Sequence, residues 1–264
     1  MSERIKRTFE KKEKKLVTFT TGGDPDLDTS FEILKTIINN KIDIVEIGMP
    51  FSDPMADGPT IQESSTRSIE NGTIINDIFE LVKKIRSLNN EIPIILMGYY
   101  NSIFNMGILE FTTKCVEVGV DGLIVVDLQP EEDDELFLKT KEHNIDLIRL
   151  ITPTTDEERL KTILKNASGF LYYVTITGIT GQNSANLKEL ESSINLIRSE
   201  SNLPIVAGFG IKSRKDVENI STFTDGVVVG SSIVNIIKDN ISNKKSMLEK
   251  IDLFTKDLKK GTVS

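Results

Sequence analysis

Short apolar runs alternate with longer amphipathic segments from one end of the chain to the other. The runs are rich in Val, Ile and Leu, and each is followed by Gly, Pro, Asp or Thr before a helical pattern begins. Continuous apolar strands separated by helices indicate parallel strands that are covered on both faces. The predicted strands are Leu16–Thr20, Ile44–Gly48, Ile92–Met97, Gly122–Val126, Asp146–Ile151, Phe170–Thr175, Pro204–Ala207 and Gly226–Val229.

Between the strands, apolar residues recur at helical spacing. Roughly eight βα units over about 250 residues match a closed barrel better than an open sheet, although periodicity alone leaves a doubly wound sheet possible. We therefore expect an α/β fold, a (β/α)8 TIM barrel with an extra N-terminal helix. Because no Pro/Ser-rich linker interrupts the pattern, we expect one domain over residues 1–264. The predicted helices include Leu27–Asn40, Ile74–Leu88, Gly107–Val118, Glu131–His143, Asp156–Lys165 and Asn186–Glu200.

Composition narrows the class of protein. A net charge of -8 argues against a nucleic-acid or anionic-membrane surface, but backbone amides can still bind a small phosphorylated substrate. The single cysteine, Cys115, excludes an intrachain disulfide and lies in a helical pattern, where we expect it to pack. The only histidine, His143, is expected at the surface, and no metal-binding cluster is visible. Without a signal peptide or a run near the roughly 20 apolar residues of a membrane span, we expect a cytoplasmic protein, with the mature form of an imported protein as the alternative.

Two carboxylates mark a candidate catalytic site. Glu46 lies within an apolar strand, where an ionised side chain is costly, and alternation would direct it into the barrel near its C-terminal mouth. Desolvation there should raise its pKa toward neutral, whereas Asp57, on the following loop, should be better solvated and remain ionised. The alternatives are a buried ion pair for Glu46 and an ordinary turn residue for Asp57.

Three glycine-bearing segments follow the last three predicted strands, at residues 177–181, 207–211 and 229–232. Glycine lets the backbone approach an anion, and a helix that starts after Gly230-Ser231 would direct its amides and dipole at one. The loops after the seventh and eighth strands are the usual phosphate site of such barrels. Any one segment alone also fits a tight turn, but together they predict a phosphate site.

The stretch VEIGMPFSDPMADGPTIQ, at residues 45–62, closely resembles the signature of the tryptophan synthase alpha chain family. The resemblance extends over nearly the whole chain. It includes FTTGGDPD at 19–26, MGYYNSIFNMG at 97–107, GVDGLIVVDLQPEE at 119–132, TPTT at 152–155, GITG at 178–181, AGFGI at 207–211 and VVGSSIV at 228–234.

This resemblance implies a cofactor-free lyase that cleaves indole-3-glycerol phosphate to indole and D-glyceraldehyde 3-phosphate. Glu46 would be the general acid and base, and Asp57 would stabilise charge at the indole N–H. Barrel core is the alternative role for the apolar residues of the implied substrate site. That site comprises Phe19, Met97, Ile124, Tyr172 and Val229 around the ring, Tyr99 and Thr180 as helpers, and Gly181, Gly208, Phe209, Gly210, Gly230 and Ser231 near the phosphate.

The implied partner is the tryptophan synthase beta chain, which uses pyridoxal phosphate to join indole to L-serine in an alpha2beta2 tetramer. The segments 50–57 and 101–105 would face it. Two pairs depart from the family pattern, Ile176-Thr177 and Gln182-Asn183, and they bear on closure of the loop after the sixth strand. The remaining alternatives are another phosphate-binding barrel enzyme, which would usually need a catalytic Lys or metal-binding His residues, and a degenerate barrel that only activates its beta chain.

Overall fold

The computed structural model describes residues 1–174, 184–208 and 210–262, with the backbone alone for residues 184–186. Parallel strands and helices alternate along it, as the hydrophobic pattern predicts. The strands are β1 (Lys15–Thr21), β2 (Ile44–Gly48), β3 (Ile94–Gly98), β4 (Gly122–Val125), β5 (Asp146–Leu147), β6 (Arg149–Ile151), β7 (Leu171–Val174), β8 (Ile205–Gly208) and β9 (Gly226–Val229).

The helices are α1 (Glu3–Glu10), α2 (Leu27–Asn39), α3 (Pro59–Glu70), α4 (Ile75–Leu88), α5 (Tyr100–Met106), α6 (Ile108–Val118), α7 (Asp134–Glu142), α8 (Glu157–Leu164), α9 (Ser184–Glu200), α10 (Arg214–Ser221), α11 (Ser231–Asp239) and α12 (Lys244–Lys260), and a 3-10 turn spans Pro130–Glu132. The helices after α1 form an outer layer around the sheet. Among the described residues, no helix is long and apolar enough to cross a membrane.

The strand order β5-β4-β3-β2-β1-β9-β8-β7-β6 closes the sheet into a barrel. Its two ends, β5 and β6, are consecutive segments separated only by Ile148, whose amide donates to the Leu123 carbonyl at 2.9 Å. They therefore form one barrel strand that pairs with β4 through its first half and with β7 through its second. The predicted TIM barrel is confirmed, and the open doubly wound sheet is excluded.

Two apolar clusters separate the barrel interior from its outer layer. The lumen holds an inner cluster that includes Ile44, Ile95 and Ile124, and the predicted N-terminal helix α1 adds Ile5 to it. Val45 and Ile47 belong instead to the outer cluster, between the sheet and the helices. Because side chains alternate along a strand, this division fixes which residues of each strand face the lumen.

Candidate active site

Glu46 lies on β2 between Val45 and Ile47, and it shares the lumen face with Ile44. It is fully buried, and neither of its carboxyl oxygens has a hydrogen-bond partner among the described residues. Burial in this apolar surrounding raises the pKa of Glu46 to about 8. Residues 175–186, 209 and 263–264 contain no Lys or Arg, and no described cation pairs with Glu46, so the buried ion pair is excluded.

The strands beside β2 place Phe19 and Ile95 next to Glu46 in register. Phe19, on β1, stands at the mouth of the barrel, where its ring lies against the backbone: a Cβ atom built on Gly48 would approach Phe19 Cζ to 2.6 Å. Glu46 is therefore enclosed by apolar side chains on both sides, which accounts for the absence of a polar partner there.

Asp57 lies on the loop between β2 and α3, and it is half-buried. The Tyr99 hydroxyl donates to Asp57 Oδ2 at 2.9 Å and accepts from the Ala56 amide at 2.9 Å. Burial raises the pKa of Asp57, and the hydrogen bond from Tyr99 opposes this rise by stabilising the anion. Asp57 is thus less buried than Glu46 and holds a donor that Glu46 lacks.

Two side chains that the sequence analysis did not single out hold this loop in place. Phe51 stacks on the Tyr99 ring, with centroids 5.0 Å apart. Gln62, in the first turn of α3, donates to the backbone carbonyls of Asp57 at 2.9 Å and of Pro54 at 3.3 Å. A glutamine five residues after a candidate carboxylate, just inside a helix, is the sequence signal that identifies such a contact.

The apolar residues predicted around the ring separate into two groups. Met97, Ile124 and Tyr172 pack in or against the inner cluster, close to Glu46. Burial and the charges of Glu46 and Asp57 raise the pKa of Tyr172, which indicates that its hydroxyl lies near both carboxylates. Val229 does not join them: Val228 occupies the lumen face of β9, so Val229 points into the outer cluster. The Val229 side chain therefore faces away from the lumen, so a contact of Val229 with the ring would involve its backbone.

The glycine segments lie at the C-terminal ends of β8 and β9. A Cβ atom on Gly208 would come within 3.0 Å of the Tyr172 hydroxyl, so this backbone borders the lumen site directly. Gly210 has a φ of 70°, which favours glycine. Gly230 precedes α11 and Ser231 is its first residue, so the unpaired amides of the first turn lie in this region. The predicted contacts Thr180, Gly181 and Phe209 lie outside the described residues.

A hydroxyl contact joins the two glycine loops. Ser232 Oγ donates to the Ile211 carbonyl at 2.5 Å, which ties the start of α11 to the segment after β8. The two loops thus form one surface beside the barrel mouth. Among residues 1–174, 184–208 and 210–262, no group of three or more His, Cys, Asp or Glu residues could hold a metal ion.

A family model described as tryptophan synthase alpha chain matches residues 5–263. The chain belongs to the tryptophan synthase alpha chain family. A tryptophan synthase alpha chain of Petrotoga mobilis is 44% identical over 249 residues, which are 94% of this chain and 96% of that one. The reaction of the tryptophan synthase alpha chain is the cleavage of indole-3-glycerol phosphate to indole and glyceraldehyde 3-phosphate. Membership of this family confirms the predicted lyase activity.

Solved structures agree with the family assignment. Tryptophan synthase subunit alpha from Legionella pneumophila superposes with a TM-score of 0.91 at 34% identity, covering 99% of this chain and 98% of that one. A protein from Aquifex aeolicus reaches a TM-score of 0.90 at 36% identity over the full length of both chains. Tryptophan synthase from Mycobacterium tuberculosis gives a TM-score of 0.90 at 27% identity, again over both full chains.

Proposed function

We propose that Glu46 is the general acid and base of the cleavage of indole-3-glycerol phosphate. The observation that carries this role is a fully buried carboxyl group that faces the lumen, has no hydrogen-bond partner among the described residues, and has a pKa of about 8, close to neutral. Such a group is present in both protonation states near neutral pH, so it can donate and accept a proton in one cycle. A group fixed in an ion pair would lack this capacity.

The chemistry requires both functions. Glu46 would first deliver its proton to C3 of the indole ring, which makes the bond between C3 and the glycerol side chain breakable. The resulting carboxylate would then take the proton of the side-chain hydroxyl as the carbon–carbon bond breaks, which releases indole and the aldehyde. Glu46 ends the cycle protonated, so protons and electrons balance without a cofactor, and we propose that the alpha reaction uses none.

Asp57 would stabilise the positive charge that develops at the ring nitrogen after C3 is protonated. Its hydrogen bond from Tyr99 supports an anionic form and fixes the direction of the carboxylate. The ring itself would lie among Phe19, Met97, Ile124 and Tyr172. With Val229 facing outward, its contribution to the site would be through the backbone that leads into Gly230.

The phosphate of the substrate would bind at the surface made by Gly208, Gly210, Gly230 and Ser231. The first turn of α11 supplies unpaired amides and the positive end of a helix dipole, which suits an anion even in a protein with a net charge of -8. Thr180, Gly181 and Phe209 remain proposed contacts on the strength of the family signature alone.

We also propose the partner that the family implies, a pyridoxal-phosphate-dependent beta chain in an alpha2beta2 tetramer in the cytoplasm, with residues 1–264 as one domain. Both segments expected to face that partner expose a large apolar side chain. Met55 is 82% exposed on the loop 50–57, and Phe104 is 63% exposed in α5. Single exposed apolar residues are common on protein surfaces, so the proposed partner surface rests on the family resemblance.

The deciding experiment measures indole release from indole-3-glycerol phosphate by the purified chain, with and without a beta chain. We expect slow release by the chain alone and strong stimulation by the partner. Absence of indole under both conditions would contradict the catalytic proposal. Activation of the beta chain without any indole release would identify the degenerate barrel instead.

A further inference from the structure

The buried face of α3 differs from that of its neighbours. Helices α2 and α4 bury aliphatic side chains, whereas the buried residues of α3 are Ser64, Ser65 and Ser68. Serine provides little apolar area, so hydrophobic burial contributes little to holding α3 against the barrel. Directional hydrogen bonds must therefore determine where this helix lies.

Each buried serine of α3 makes a hydrogen bond to the end of β1 or to the loop that follows β1 or β2. Ser64 Oγ and Thr21 Oγ1 are 2.5 Å apart, and Ser68 Oγ donates to the Gly22 carbonyl at 2.7 Å. Ser65 Oγ accepts from the Phe51 amide at 2.8 Å. The helix is thus hydrogen-bonded to two catalytic-face loops at once.

Near the C-terminal end of α3, a buried ion pair completes these contacts. Arg67 Nε and Arg67 Nη2 each lie 2.8 Å from one oxygen of Asp24, in a bidentate arrangement. Asp24 is fully buried, and the Arg67 side chain is 18% exposed. Gly23, with a φ of 79°, brings the loop so close that an added Cβ atom would lie 2.7 Å from Ser68 Oγ. The loop after β1 and the C-terminal end of α3 are therefore tightly packed against each other.

Asp57 lies two residues before the first residue of α3, and Gln62 in the first turn of that helix donates to the Asp57 carbonyl. About 12 Å of helix separates Pro59, the first residue of α3, from Arg67, at 1.5 Å per residue. A tilt of only a few degrees about the Arg67 end would move Asp57 by about 1 Å, a displacement that can cost on the order of a hundredfold in rate.

We propose that Arg67 is a positioning residue for Asp57: its bidentate bond to Asp24 fixes α3 on the loop after β1 and thereby sets the place of the Asp57 carboxylate at the barrel mouth. This inference rests on the proposed role of Asp57. Among the described residues, the Arg67 guanidinium hydrogen-bonds to Asp24 and not to Asp57, so it would act through the helix.

The test compares Arg67→Lys with the native chain in the indole-release assay, in complex with the beta chain. Lysine keeps the charge beside Asp24 but loses the planar fork and its second hydrogen bond. We expect kcat to fall by roughly 10-fold to 100-fold with KM for indole-3-glycerol phosphate within about threefold, because the glycine loops are untouched. Asp24→Asn provides a second variant of the same pair, for which we expect the same split between kcat and KM.

A matched control is Glu63→Gln, on the same helix. Glu63 pairs with Lys238 at 2.5 Å, but both side chains are about half exposed, so this pair should contribute little to the position of α3. We expect native kcat from this variant. A comparable loss of kcat in Glu63→Gln and Arg67→Lys would overturn the proposal, because any perturbation of the helix would then suffice.

The distinguishing readout is non-additivity, measured by single-turnover indole release with enzyme in excess. If Arg67 acts through Asp57, Arg67→Lys should lower the rate of the native chain but leave the rate of Asp57→Asn nearly unchanged. Equal losses in both backgrounds, or a native rate for Arg67→Lys and Asp24→Asn, would refute the inference. A native rate for the single variant Asp57→Asn would instead refute the proposed role of Asp57, which is a different proposal from the role of Arg67.

Discussion

The two candidate catalytic carboxylates carry the same functional group in opposite surroundings. Glu46 lies on a strand inside the barrel, fully buried, with no hydrogen-bond partner among the described residues. Asp57 lies on a loop, half-buried, and receives the Tyr99 hydroxyl. Burial raises the pKa of both, but among the described residues a hydrogen-bond donor favours the anion of Asp57 alone. The environment therefore assigns proton transfer to Glu46 and electrostatic stabilisation to Asp57.

The largest expected effect comes from Glu46→Gln, which preserves the shape of the side chain and removes its ionisable proton. We expect turnover to fall by on the order of a thousandfold or more, because one group supplies both proton transfers. Binding of indole-3-glycerol phosphate, measured by equilibrium dialysis under conditions without turnover, should remain close to native. Normal turnover in this variant would remove Glu46 from its role, and loss of binding would make it a ligand contact instead.

A smaller effect should follow from Asp57→Asn. The amide keeps an oxygen that can accept from Tyr99, so the loop should keep its conformation, but the charge that faces the ring nitrogen is lost. We expect kcat to fall by roughly a hundredfold, in the range typical of a lost electrostatic contact. The same assay measures this loss in kcat. A loss that equals or exceeds that of Glu46→Gln would contradict the different roles of the two carboxylates.

The fold could be predicted in detail because each parallel strand is buried on both faces and leaves an apolar run between turn residues. Even so, the apolar pattern gives little indication of α3, since its buried face carries serines instead of an apolar stripe. Ile148 interrupts the fifth predicted strand, so that β5 pairs with one neighbour and β6 with the other. Closure depends on such long-range pairing, which a local pattern does not contain.

The candidate site was less predictable than the fold. Glu46 stands out because a charged residue in an apolar strand breaks the pattern. Val228 and Val229 are identical in chemistry, so no local signal tells which of them faces the lumen, and the outward position of Val229 followed only from the barrel. Likewise, Tyr99 and Asp57 are 42 residues apart in the chain, and their contact is a product of tertiary structure.

A further expected effect is on stability instead of rate, and it isolates the buried state of Glu46. The folded chain holds Glu46 at a pKa of about 8, against 4.5 for an exposed glutamate. Below the lower value both states are protonated and the folded state bears no penalty. As pH rises toward 8, only the unfolded state ionises, so the free energy of unfolding falls, by on the order of 5 kcal/mol at most.

Urea unfolding of the native chain and of Glu46→Gln, at about pH 5 and about pH 9, measures this contribution directly. Glutamine does not titrate, so the variant should gain stability relative to the native chain between the two pH values. The exposed control Glu63→Gln should run nearly parallel to the native chain, because the hydrogen bond from Lys238 lowers the pKa of Glu63, away from this range. Parallel curves for Glu46→Gln would mean that Glu46 has a partner in solution, and its contrast with Asp57 would then disappear.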